Sequence, residues 1–136
     1  ASDVYKRQGW AKMKIESLDD LKCIIQRDGF FEAVVSSVND WDEALDRRDD
    51  DVFDSAWIAA FEELKKIEYS SESDEEGVSD MREYVFKKVY GLVNSSDVAG
   101  YISDDIGLVA ESISKVCDVE WVKKLFDIYC AGEFPN

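Results

Sequence analysis

Residues 51–67 read DVFDSAWIAAFEELKKI. Apolar residues stand at Val52, Phe53, Ala56, Trp57, Ala60, Phe61, Leu64 and Ile67. Steps of three and four follow the turn of a helix, whereas a half-buried strand would alternate every second residue. Asp50 or Asp51 opens the run where the first backbone N–H groups need an acceptor. Lys65 and Lys66 close it where the helix dipole favours positive charge.

The same period extends to both sides. Ser17 followed by Asp20 is a capping-box start for Leu18, Leu21, Ile24 and Ile25, with Gly29 as the stop. Phe31, Val34, Val35, Val38, Trp41 and Leu45 form a second helical set. Residues 70–79, SSESDEEGVS, read as a loop by composition. After it come Met81, Val85, Val89 and Leu92, and then a break at Asn94, Ser95 and Ser96. A fifth set runs through Val98, Tyr101, Ile102, Ile106, Val109, Ile113 and Val116, with Gly100 and Gly107 inside it marking close packing or a bend. A sixth begins at Asp118 with Val119, Val122, Leu125, Phe126 and Tyr129, and ends at Gly132 and Pro135. The expected fold is all-α: a compact single-domain bundle of about six helices, antiparallel because the connections are short. Short strands near residues 14–15 or at the C-terminus stay open as alternatives.

The chain has 136 residues, enough for one domain with its own core. Residues 1–12 are set apart. The run Asp3-Val4-Tyr5-Lys6-Arg7-Gln8 looks like a translated library adapter, a processing scar outside the fold, and Met13 is a plausible start for a domain spanning 13–136. Lysines and arginines number 16 against 31 acids, for a net charge of −15. Without residues 1–12 the balance is 13 bases to 30 acids, or −17. Small domains stay soluble with a net charge of roughly 2–8, so an excess of this size costs stability by self-repulsion and suits a basic partner. Nucleic acid and anionic membranes are repelled. No signal peptide or long apolar run is present in this sequence, so a cytoplasmic location is expected.

No histidine is present. That removes the commonest general base and most zinc sites. Cys23, Cys117 and Cys130 are odd in number, widely spaced and set among apolar residues, and are expected to be buried free thiols. Adjacent acids such as Asp104 and Asp105 diverge on a helix, so no acid–base pair is expected to converge. Residues 72–83 carry acids at positions 1, 3, 5, 9 and 12 of a calcium-loop pattern, with Gly77 at position 6. Glu72 and Glu76 are too long for positions 1 and 5, Ser79 replaces the apolar position 8, and no second loop follows. The segment is expected to be an acidic connector. No enzymatic activity, metal or cofactor is expected.

The acids fall into three groups. The first holds Asp40, Asp42, Glu43, Asp46, Asp49, Asp50 and Asp51; the second Glu72, Asp74, Glu75, Glu76 and Asp80; the third Asp104, Asp105 and Glu111. The third lies at positions expected to point away from the Ile102, Ile106 and Val109 stripe. Together they are the candidate partner-binding surface, since carboxylates facing a basic protein raise its association rate. Trp121 is the candidate aromatic anchor, while Trp41 and Trp57 fall on the apolar stripes.

Residues 97–111, DVAGYISDDIGLVAE, with the acidic helices before them, resemble the small acidic helical immunity proteins of bacterial polymorphic and contact-dependent growth-inhibition toxin systems. The likeness covers the layout from Met13 onward and is motif-like over those fifteen residues. It implies a cytoplasmic protein that binds one cognate toxin domain and occludes it. A nuclease toxin fits the charge, because an acidic inhibitor replaces its polyanionic substrate. Reversing charge at both Asp104 and Asp105 is then expected to weaken binding and spare the fold. Two alternatives are a regulatory adaptor responsive to calcium and an acidic nucleic-acid mimic that binds a DNA- or RNA-binding protein. The oligomeric state is open.

Overall fold

The computed structural model describes residues 15–136. The expectations for residues 1–12 and for a start at Met13 lie outside it. Seven helices follow one another, with no strand among the described residues: α1 Leu18–Ile25, α2 Phe30–Ser36, α3 Trp41–Arg48, α4 Asp51–Lys65, α5 Glu72–Val93, α6 Ser96–Ser114 and α7 Glu120–Cys130.

The fold is built on α5 and α6. Only Asn94 and Ser95 separate them, and they pack along one another. Asn94 takes the left-handed conformation at φ 58°, and the Ser95 hydroxyl accepts the Val98 N–H at 3.3 Å to start α6. Val78, Met81, Val85 and Val89 of α5 meet Val98, Ile102, Ile106 and Val109 of α6 in the core. The α1 face of Leu21, Ile24 and Ile25 and the α7 face of Val122, Leu125, Phe126 and Tyr129 are buried in the same core. At Gly107 the Arg82 side chain of α5 lies directly on α6. An added Cβ there would lie 2.6 Å from Cδ of Arg82, whereas Gly100 faces open space.

The α1 start is as expected. Asp20 N–H donates to the Ser17 hydroxyl at 3.2 Å, and Ser17 N–H donates to the Asp20 carboxylate at 3.3 Å. Gly29 ends the segment at φ 84°. Elsewhere the boundaries move. The set from Phe31 to Leu45 is two helices, which is why the described residues hold seven and not six. The Ser37 hydroxyl donates back to the Val34 carbonyl at 2.6 Å, and Asp40 accepts the Glu43 N–H at 3.2 Å to begin α3. These short polar side chains compete for the backbone and interrupt the helix.

The 70–79 loop is mostly helix. Ser71 accepts the Asp74 N–H at 3.1 Å, and Glu72, Asp74 and Glu75 fill the first turn of α5. Negative charge there complements the helix dipole. The acids that suggested a mobile connector are a helix start, and residues 72–83 lack the looped backbone a calcium loop needs. Val116 leaves the apolar stripe: it lies past α6, 89 % exposed, at φ 52°. Leu92 is exposed. Cys23 is exposed too, contrary to expectation, because it faces away from Leu21 and Ile24. Cys117 and Cys130 are half-buried, and burial pushes the Cys130 thiol up to about 12. No helix among the described residues is long and apolar enough to cross a membrane.

Candidate partner-binding surface

The first acidic group lies on α3 and the turn into α4. Asp40, Asp42, Glu43, Asp46, Asp49, Asp50 and Asp51 are all exposed. Asp49 accepts the Tyr101 hydroxyl at 2.5 Å, and this bond is the main reason the phenol is pushed up to about 12. Glu43 pairs with Arg47 at 2.5 Å. The second group runs along the first half of α5, with Glu72, Glu75, Glu76 and Asp80 exposed and Asp74 half-buried.

The third group divides. Asp104 is exposed and pairs with Arg82 of α5 at 2.6 Å. Glu111 is half-buried and accepts from the Tyr69 hydroxyl and from Lys115 Nζ, each at 3.1 Å. Asp105 has no exposure at all. Its place on the partner-binding surface is therefore withdrawn, as is the expectation that charge reversal at both Asp104 and Asp105 would spare the fold.

Asp105 organises a buried polar cluster. Arg48 of α3 donates to both carboxylate oxygens, at 2.8 and 2.7 Å. Trp57 Nε1 of α4 donates at 2.9 Å, and the Tyr129 hydroxyl of α7 donates at 2.5 Å. The guanidinium is enclosed by the Phe53, Tyr101 and Phe134 rings, whose centroids lie 4.3, 5.3 and 5.2 Å from it. Burial raises the Asp105 carboxyl above the usual carboxylate range, against the pull of Arg48 and the hydrogen-bond donors. Burial opposes the charge on Arg48 as well, yet Asp105 holds the guanidinium above its ordinary value. With four donors and no open face, this carboxylate has nothing left with which to meet a substrate. It joins four helices.

Trp57 links this cluster to the surface. Its N–H is tied to Asp105, and its ring stacks on Phe61 with centroids 5.7 Å apart and planes 16° from parallel. Beside them a groove of about 360 Å3 runs between α4, α5 and α6. Its walls are Trp57, Phe61, Tyr69, Val78, Arg82, Asp104, Gly107, Leu108 and Glu111. Lys115 Nζ lies 4.5 Å from the Tyr69 ring centre. Partial burial first, and then Glu111, push the Tyr69 phenol up to about 12. Of the candidate acids, the groove brings together Asp104 and Glu111. Trp121 stands elsewhere, half-buried and edge-on to Phe53 at 5.3 Å, on a ring that itself lies on Arg48.

Sequence reasoning placed both Trp57 and Phe61 on the apolar stripe and gave no role to Ile58 or Arg82. One signal was available: the apolar arc of α4 is wider than one core face requires, and Ile58 extends it beyond Trp57.

An acidic helical domain with a saturated buried carboxylate and an open aromatic groove has the make-up of a protein-binding module. The chain belongs to the family described as Immunity protein PIM1, whose profile matches residues 20–136. This bears out the resemblance read from residues 97–111. No curated protein matches the chain.

Proposed function

We propose that this immunity protein binds the cognate toxin domain encoded beside it and blocks that domain's active cleft or substrate path. The observation that carries this reading is the family match over residues 20–136. Charge supplies the chemistry: 31 acids against 16 bases suit a basic partner, and a nuclease is the toxin class that meets this surface best. The protein acts by occlusion in the bacterial cytoplasm and is not an enzyme. Carboxylates of α3, of the α4 start and of α5, with Asp104 and Glu111, face lysines and arginines around the toxin cleft.

Co-expression of the full chain with the neighbouring toxin domain tests the reading, scored by survival and co-purification. Rescue together with a stable complex is expected. A toxin that kills despite the chain, with no complex recovered, contradicts it.

A further inference from the structure

We propose that the groove beside Trp57 is where the toxin seats a basic side chain, and that Arg82 is the chain's own stand-in for that group. The proposal rests on the immunity reading above and names the contact within it.

Trp57, Ile58 and Phe61 stand at i, i+1 and i+4 along one flank of α4. Ile58 is 48 % and Phe61 36 % exposed. Aromatic side chains of this kind anchor interfaces when a pocket and a polar rim adjoin them. Trp57 is also held in place by its bond to Asp105, so docking against it loses little conformational freedom.

Two cations already sit at the walls of the groove. Lys115, behind the wall, lies on the Tyr69 ring and Glu111, and Arg82, in the wall itself, lies on Asp104. Carboxylates next to ring faces are a site for a cation. The two resident cations differ in one respect. Lys115 is 4 % exposed and also donates to the Leu64 carbonyl at 2.9 Å, so it is fixed. Arg82 and Asp104 are 54 % and 49 % exposed, and a pair so exposed is weak and exchangeable. The Arg82 stem lies on Gly107, where a Cβ would meet Cγ at 2.7 Å. When the guanidinium swings into solvent while the stem stays in place, the Asp104 carboxylate becomes free for an incoming arginine or lysine. The chain's net charge of −15 makes a basic partner the complementary occupant.

The test is calorimetric titration of the purified toxin domain into the full chain and its variants, with circular dichroism melts as the folding control. Arg82→Met keeps the stem over Gly107 and releases Asp104, so it should bind about threefold or more tighter. Ile58→Ser combined with Phe61→Ser should weaken binding about tenfold or more, the level of an interface anchor; Ile58→Ser alone is the milder variant if the pair unfolds. Asp104→Asn should weaken it as well. A tight wild-type complex that none of these variants alters overturns the groove while leaving the immunity reading intact. Weaker binding by Arg82→Met overturns the stand-in role. No wild-type complex overturns both the proposal and the reading beneath it.

Discussion

Asp104 and Asp105 are consecutive residues of α6, and each holds an arginine from another helix. Asp104 stands half in solvent with Arg82, on the wall of the groove. Asp105 is fully buried with Arg48, Trp57 and Tyr129. One step along a helix is a rotation of about 100°, enough to carry a carboxylate from groove to core. The same pair of functional groups then does two different things. In solvent the pair is worth about 0–1 kcal/mol and can exchange partners. In the core it adds little net stability, but neither member can be removed alone, because the other is left charged and unpaired. The buried pair keeps four helices in register; the exposed one leaves the surface open to a competitor.

The contrast can be tested by breaking each side. The largest effect is expected from Arg48→Met or Asp105→Ala, each lowering stability by about 3–5 kcal/mol in urea unfolding. Arg48→Met combined with Asp105→Leu should recover most of that loss, because no lone charge remains. A single variant that cost less than about 1 kcal/mol would make the buried pair equivalent to the exposed one.

The tyrosines sharpen the contrast through pH. Burial above all holds the Tyr129 hydroxyl well above its ordinary value, and Tyr69 and Tyr101 are each pushed up to about 12. A phenol raised by folding contributes stability that is fully present below its unfolded value, near 10, and is lost as pH rises through the folded value. Melts should therefore hold steady up to about pH 10 and fall towards pH 12, less steeply in Tyr129→Phe. Trp57→Phe keeps an aromatic ring at the position, loses the indole N–H bond to Asp105 together with some volume, and should cost about 1 kcal/mol or more. Asp104→Asn should change stability by less than about 1 kcal/mol, and thermal melts of the two variants side by side would show the difference.

Much of this was legible in the sequence. Spacing gave the helical class, the α1 capping box, the α7 face and the buried stripe through Val98, Ile102, Ile106 and Val109, because apolar periodicity reports directly which side of a helix meets the core. Two features were hidden by local chemistry. The acids at Glu72, Asp74 and Glu75 have the composition of a loop and the position of a helix start, and composition alone does not separate the two. Ser37 and Asp40 end one helix and begin another within an unbroken apolar period. Asp105 was hidden for a different reason. Its burial depends on Arg48, 57 residues away, and on Tyr129, and no local pattern marks an aspartate whose partner comes from a distant helix. The groove has the same origin, since it exists only where α4, α5 and α6 meet.

An acidic surface that captures a basic toxin must do so in a salt-dependent way. The most direct measurement is the association rate of the toxin domain with the full chain across ionic strength. Screening by salt shortens the reach of charge from about 30 Å at 0.01 M to about 3 Å at 1 M. The rate is predicted to fall by about tenfold or more over that range, with dissociation changing much less. An association rate that does not respond to salt would contradict capture by charge.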